Sequence, residues 1–258
     1  MPSKFVQLAR EDHIAHVRLN RPPVNALGRD LVAELTNLAK YIHQDKDVWV
    51  ITLQGSGRVF CAGADLKERA IETQSHVRQT VKRIQDMVVA WSEVPQPVLA
   101  AIHGAALGGG LELALAADIL VATETAKLGF PEVSLGIIPA GSGTQRLAQR
   151  TTRGVANKWV LSGSQFEAPE ALEDGVVDYV FPQASFEQEF NRLVAQVASC
   201  APIALRQAKK ALNAQSRQTI RRGLKAEADC YALLIPTEDR TEALRAFAEK
   251  RKPVWRGK

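Results

Sequence analysis

The sequence predicts an α/β core followed by a helical C-terminal region. Short apolar runs rich in β-branched residues alternate with helix-period segments through the first two thirds of the chain, whereas from Phe186 onward only helical patterns remain. The 258 residues, 46% hydrophobic and 24% charged, suffice to bury a full core without disulfides or metal.

The elements read in order. Phe5–Leu8 and Ile14–Leu19 are short strands joined by a turn at Glu11-Asp12-His13, and Asn20-Arg21-Pro22-Pro23 breaks the pattern. Asp30–His43 places Leu31, Leu35, Leu38 and Ile42 on one helical face. Val48–Leu53 is a buried strand ended by Gly55-Ser56-Gly57. Ser75–Trp91 is a longer helix with Val77, Val81, Ile84 and Val88 in one stripe, stopped by Pro95 and Pro97. Val98–Ile102 and Ile119–Ala122 are strands flanking a small, apolar helix over Gly109–Ala117. Thr144–Arg150 and Arg153–Leu161 are helical, short helices follow Gly163, and Val176–Phe181 is a strand closed by Pro182. Pro202 and Pro236 fall near helix starts, where proline is tolerated.

Composition narrows the function classes. Cys61, Cys200 and Cys230 lie far apart, which predicts neither a disulfide framework nor a zinc site. No His, Cys or carboxylate cluster has metal-ligand spacing. No apolar run is long enough to span a bilayer, and Met1-Pro2-Ser3-Lys4-Phe5 lacks a signal-peptide core; a cytoplasmic location is expected. The net charge of +5 is uneven: Arg206–Lys258 holds 14 Lys and Arg against 6 Asp and Glu. Such a region suits a polyanionic ligand such as a nucleotide phosphate. It has no interleaved aromatic pattern of the kind that stacks nucleic-acid bases.

The chemistry concentrates in Ala106-Leu107-Gly108-Gly109-Gly110-Leu111-Glu112. The glycine triplet is neither a P-loop nor a GxGxxG fingerprint. Glycines before a helix let backbone N–H groups meet a ligand, which suits a developing negative charge. Glu112 is a carboxylate in an otherwise apolar helix, where desolvation would raise its pKa into the useful range; pairing with a buried arginine is the alternative. Glu132, in Gly129-Phe130-Pro131-Glu132, can converge with Glu112 if the intervening helix and strand double back. Phe60–Lys67 follows a buried strand with Ala62, Gly63 and Ala64, small enough to leave a second backbone donor accessible; Cys61 reads as core and Asp65 as a helix cap. Ile137–Arg146 opens a helix with glycines, but Gly141-Ser142-Gly143 is not a nucleophile elbow, and His103, His43 and Asp118 make no convincing triad.

Phe60–Glu68, Ala106–Ala114, Phe130-Pro131-Glu132 and Gly143–Leu147 resemble the signature segments of the enoyl-CoA hydratase/isomerase (crotonase) superfamily. Leu19–Pro22 with Asn25-Ala26-Leu27, and Asp239–Arg251, resemble its N-terminal motif and C-terminal helix. The likeness covers nearly the whole chain. It implies a spiral of ββα units over residues 1–200, carrying the CoA and catalytic sites, and a helical oligomerisation region over 201–258. It also implies a homotrimer or a hexamer of two trimers, and an acyl-CoA substrate with no separate cofactor or metal. Carried over by position, the Ala64 and Gly109 N–H groups form the oxyanion hole. Glu112 and Glu132 hold and activate water, one taking a proton from it and one delivering a proton to Cα. Asn25, Ala26, Leu27, Ala62, Ala64, Asp65, Leu66, Lys67 and Gly109 line the CoA site, and the basic run Lys250-Arg251-Lys252 meets a CoA phosphate.

Having both glutamates favours a hydratase over an isomerase that needs one. Ala140 and Ser142 stand where many hydratases have glycine; Ala140 keeps its water-holding N–H only if its φ is negative. Asp65–Ala70 and Ile235–Arg240 resemble most the methylglutaconyl-CoA hydratase branch, which also binds AU-rich RNA. The segment that carries RNA in that branch corresponds to Asn37–Asp47, which has only Lys40 and Lys46, and this speaks against an RNA-binding module. A substrate with a distal carboxylate needs a cation, for which Arg78, Lys82 and Arg83 are the candidates by location.

Overall fold

Two sheets of unequal size organise the chain in a computed structural model that describes residues 3–257, the side chains of 215–218 excepted. The strands are β1 (Val6–Glu11), β2 (Ile14–Leu19), β3 (Val50–Gly55), β4 (Val98–Ile102), β5 (Ala105–Leu107), β6 (Ile119–Thr123), β7 (Lys127–Gly129), β8 (Gln165–Glu167) and β9 (Tyr179–Phe181). The helices are α1 (Arg29–Gln44), α2 (Leu66–Ala70), α3 (Gln74–Glu93), α4 (Gly109–Ala114), α5 (Gly143–Arg150), α6 (Arg153–Leu161), α7 (Ala168–Glu173), α8 (Phe186–Ala198), α9 (Pro202–Leu234) and α10 (Glu238–Ala248), with a 3-10 turn at Pro131–Leu135.

The large sheet has the order β1-β2-β3-β4-β6-β9, and the small one β5-β7-β8. From β2 to β9 the large sheet is parallel, and its central strands are mostly apolar because both faces are covered. The period of two sorts the side chains. Ile51, Leu53, Ala100, Ile102, Leu120 and Ala122 enter the main core with α1 and α3, while Val50, Leu99, Ala101 and Val121 meet Phe190 and Val194 of α8. β1 pairs antiparallel with β2 and exposes the charged residues Arg10 and Glu11.

The turns of the spiral are visible in the pairing. β4, β5 and α4 form one strand–strand–helix unit; β6, β7 and the 3-10 turn form the next. Each unit gives its first strand to the large sheet and its second to the small one. The C-terminal helices are tied to this core by buried polar contacts. Lys209 on α9 donates to Asp118 Oδ2 at 2.6 Å and to the Gln96 carbonyl at 2.9 Å.

Several boundaries differ from the sequence reading. Trp49 stacks on His13 at 3.6 Å, so β3 begins at Val50 rather than Val48. The apolar helix stops at Ala114, where i+3 bonds from Ala116 and Ala117 tighten its end. Gln165–Glu167, expected to be helical, is a strand paired antiparallel with β7; Phe166 anchors it by stacking on Trp159 at 4.4 Å. No helix among the described residues is long and apolar enough to cross a membrane.

Candidate active site

Three parallel segments deliver the site. Cys61 bridges Ala106, and Ala106 pairs with Leu128 in the parallel register of β5 and β7. The chain therefore leaves all three at the same end, into Ala62–Ala64, Gly108–Glu112 and Phe130–Glu132. This register brings the two glutamates together across twenty residues of sequence. Gly108 stays in the ladder through its N–H, which donates to the Gly129 carbonyl at 2.9 Å.

Two backbone donors face one another here. In the bridge between Leu27 and Ala64, the Leu27 N–H donates to Gly63 O at 2.8 Å and the Asp65 N–H to Leu27 O at 3.4 Å. The intervening Ala64 N–H is left outside that ladder. Gly109 opens α4, so its N–H has no acceptor in the helix. The Ala64 nitrogen lies 3.9 Å from where a Cβ on Gly109 would stand.

Glu112 and Glu132 are 3% and 8% exposed, and both edge the same cavity. The Gly141 and Gly143 N–H groups each donate to Glu112 Oε1 at 2.7 Å, leaving Oε2 toward Gly109. Burial, with the charges of Glu227 and Glu132 nearby, raises the Glu112 carboxyl well above its ordinary range, against the pull of the two N–H groups. Burial pushes Glu132 up to about 8, and its Oε2 has no hydrogen-bond partner among the described residues. Gly108 makes room for it: at φ +51° a side chain is disfavoured, and a Cβ would stand 2.6 Å from Glu132 Oε1.

The cavity, about 250 Å³, has mostly apolar walls that include Val81, Ile84, Ile137 and Ile138, with Tyr231 and Phe247 supplied by the C-terminal helices. Among the described residues no group of three His, Cys, Asp or Glu side chains is arranged to hold a metal ion.

The family model for enoyl-CoA hydratase/isomerase matches residues 9–258. The chain belongs to the enoyl-CoA hydratase/isomerase family. It is 42% identical to YngF of Bacillus subtilis over 259 residues, covering all of both chains. It is 39% identical to human mitochondrial methylglutaconyl-CoA hydratase over 239 residues, which are 90% of this chain and 70% of that protein. A crystal structure of enoyl-CoA hydratase from Bacillus anthracis superposes with a TM-score of 0.81 at 39% identity, over 99% of this chain and all of the other. The fold is the crotonase fold, and the family is one of enzymes acting on CoA thioesters.

Against that family's chemistry, the residues expected around CoA divide by place. Ala62, Ala64, Leu66 and Gly109 line the cavity; Asn25, Ala26, Leu27, Asp65 and Lys67 are not among its lining residues. Asn25 is 1% exposed, and its amide donates to the carbonyls of Ser56, Val59 and Phe60, so it bolts the loop rather than offering a free group. Arg21 donates to the Ala26 carbonyl at 2.9 Å. Leu27 acts through backbone, fixing Gly63 and Asp65. Asp65 caps α2 by accepting the Lys67 and Glu68 N–H groups, and it pairs with Arg21 at 2.7 Å. Lys67 is exposed.

Arg251 of the basic run is paired with Glu242 and Glu249. Arg78, Lys82 and Arg83 are exposed, and the cavity's basic lining residue is Arg69, paired with Glu72 at 3.0 Å. Cys61 is core, its thiol pushed up to about 12 by burial. His103 is a turn residue bonded to the Gly57 carbonyl at 3.0 Å.

The loop before α5 answers the question raised by its two substitutions. Ala140 has no positive φ, so its N–H is kept without strain. Ser142 takes the left-handed conformation at φ +90°, and its hydroxyl accepts from Arg146 Nε at 2.7 Å. Sequence reasoning missed Glu227, 3% exposed on α9, which accepts the Ser142 N–H at 2.8 Å and the Thr144 hydroxyl. The available signal was a lone glutamate four residues before Tyr231 and four after Gly223, on one helix face.

Proposed function

We propose that the protein is a 2-enoyl-CoA hydratase that adds water across the 2,3 double bond to give a 3-hydroxyacyl-CoA. The observation that carries this reading is the meeting of two buried carboxylates at one cavity edge, beside backbone donors from Ala64 and Gly109. Attack of water at C3 pushes charge onto the thioester oxygen, and preorganised N–H donors at that oxygen are worth about 3 kcal/mol each.

The two glutamates divide the proton work by their surroundings. Glu112 Oε1 accepts two N–H donors, which act against the burial and neighbouring charges that raise its carboxyl well above the ordinary range; fixed by those donors with Oε2 toward Gly109, it is the base that takes a proton from water. Glu132 has a pKa raised to about 8 by burial, so it is protonated near neutral pH and delivers its proton to Cα. An isomerase that shifts a double bond needs a single group moving a proton between carbons. The second carboxylate in the cavity edge supports hydration over that reading. Assembly as a homotrimer or dimer of trimers accompanies the proposal, and Ile203 and Leu212 of α9, 74% and 81% exposed in the single chain, offer apolar surface for it.

The test is loss of the conjugated thioester absorbance of crotonyl-CoA, compared with turnover of a 3-enoyl-CoA. Hydration is expected to be the faster reaction. Isomerisation that outruns it by an order of magnitude sinks the hydratase reading in favour of the isomerase. Comparing kcat/KM for crotonyl-, longer enoyl- and methylglutaconyl-CoA then sets the acyl preference.

A further inference from the structure

We propose that Glu227 is a positioning residue: from the C-terminal helix α9 it clamps the Ala140–Thr144 loop so that two of the loop's N–H groups aim at Glu112. The inference rests on the hydratase reading for its kinetic test, and on geometry for its argument.

Three consecutive N–H groups in this loop go to two carboxylates. Those of Gly141 and Gly143 reach Glu112 Oε1, both at 2.7 Å, and the one between them, on Ser142, turns away to Glu227 Oε1 at 2.8 Å. The loop is thus held between Glu112 on α4 and Glu227 on α9. The reversal requires Ser142 at φ +90°, a conformation that costs a residue with a Cβ free energy and persists only when its surroundings impose it. The surroundings are specific. Glu227 also accepts the Thr144 hydroxyl, and Arg146 donates from Nε to Ser142 Oγ at 2.7 Å and from Nη2 to Ser92 Oγ at 2.8 Å.

The close approach of α9 is built for this contact. Gly223, one helical turn before Glu227, faces Gln145 of α5: a Cβ there would stand 1.7 Å from Gln145 Oε1. One turn after Glu227, Tyr231 lines the cavity. Gly223, Glu227 and Tyr231 therefore form one face of α9 laid along the catalytic loop. Glu227 is not itself among the cavity-lining residues, which separates its role from those of Glu112 and Glu132.

The charged groups around Glu227 give the role a signature. Glu112 from α4 and Glu132 from the 3-10 turn feel its negative charge, which raises both. Burial raises Glu227 to about 6, against the Thr144 and Ser142 donors and Arg146 from α5, which lower it; Arg146 is itself held by Glu93 and Asp118 as well as by Glu112 and Glu227. Removing the charge at 227 lowers the pKa of base and acid together. A residue that only stabilised the fold would move neither.

The experiment measures kcat, KM and the pH profile of kcat/KM on crotonyl-CoA for the full-length wild type, Glu227→Gln and Glu227→Ala. Glu227→Gln keeps an acceptor for Ser142 and loses the charge; both limbs of its profile are expected to move acidward by about one pH unit. Glu227→Ala also frees the loop, and kcat is expected to fall about 10²-fold with KM within about threefold. Folded variants with wild-type kcat and unmoved limbs overturn the proposal. If neither variant folds, Thr144→Val, which removes one donor, is expected to lower kcat about tenfold at constant KM, and wild-type kcat there overturns it. A wild type that does not hydrate enoyl-CoA refutes the hydratase reading alone. Titration of the Glu112 carboxyl by carbon-13 NMR then decides between wild type and Glu227→Gln, an identical midpoint being fatal to the clamp.

Discussion

Gly108→Ala separates stability from activity at a single methyl group. The cost to the fold is conformational. At φ +51° and ψ −124° the backbone occupies a region that residues with a Cβ avoid, worth about 1–3 kcal/mol. A domain with about 5–15 kcal/mol to lose stays folded and melts a few degrees lower. The cost to the chemistry comes from the collision. The new Cβ would stand 2.6 Å from Glu132 Oε1, so the carboxyl must retreat by about 0.8 Å to reach ordinary 3.4 Å contact. That atom is the end of a flexible side chain and yields at little cost in stability, but it is also the proposed proton donor. Displacements near 1 Å cost on the order of 10²-fold in rate. The expectation is therefore a kcat for crotonyl-CoA hydration reduced about 10²-fold in a folded protein with nearly normal KM. Adding Glu132→Gln to this variant should cost little more than Glu132→Gln alone, because both remove the same function. A folded Gly108→Ala enzyme with wild-type kcat refutes the reasoning, since Glu132 would then be displaced without consequence.

Further expectations concern the two carboxyls and the strained serine. Glu112→Gln and Glu132→Gln should each lower kcat by about 10²–10⁴-fold while leaving Tm close to wild type; normal turnover in either removes that residue from the mechanism. The raised Glu132 has a stability signature. Its carboxyl titrates near 4.5 unfolded and about 8 folded, so between these values the native state binds the extra proton and stability declines as pH rises, by up to about 1.4 kcal/mol per pH unit for one proton. Melting from pH 5 to 8 should show Tm falling with pH, and Glu132→Gln should flatten the slope; a slope unchanged by the substitution assigns it to another group. For Ser142→Gly, relief at φ +90° returns about 1–2 kcal/mol, whereas loss of the buried bond from Arg146 costs about 1.5–3. The balance predicts a Tm at or slightly below wild type, and a clear rise in Tm would show that the Arg146 bond contributes nothing.

What was legible in the sequence follows from element length. The long apolar strands β3, β4 and β6 and the striped helices α1 and α3 repeat their period often enough to be read. β5, β7 and β8 have three residues each, too short to show a period of two, so the small sheet left no pattern. Yet that sheet's register aligns Ala106 with Leu128 and thereby brings Glu112 to Glu132. The glycines and glutamates were visible as residue types; their meeting was permitted by the sequence and needed the fold to realise it. Glu227 was hidden for a different reason. It lies on α9 among other charged residues, where a glutamate normally faces water. Only the close approach of Gly223 to Gln145 turns that face inward.

Bringing Glu227 into the site changes its charge balance. Three carboxyls, Glu112, Glu132 and Glu227, share a buried region with the guanidinium of Arg146, Arg69 on the cavity wall being paired with Glu72, and three ionised carboxylates there would be strongly disfavoured. Glu227 has the Ser142 and Thr144 donors and Arg146 beside it, and Glu112 has two N–H donors. Burial raises Glu132 to about 8, and under the proposed reaction it is the group that keeps the proton. Under the proposed reaction the net charge of this cluster and substrate then stays constant. Negative charge passes from Glu112 to the thioester oxygen as water attacks, and from that oxygen to Glu132 as Cα is protonated. Glu132, the last station, has its own backbone N–H as a donor. Glu132 ends the cycle ionised and Glu112 protonated, so return of a proton from Glu112 to Glu132, directly or through solvent, is the step that resets the enzyme. Burial of Glu132 serves both ends of the cycle: it keeps the acid protonated before the reaction and favours recovery of its proton afterwards.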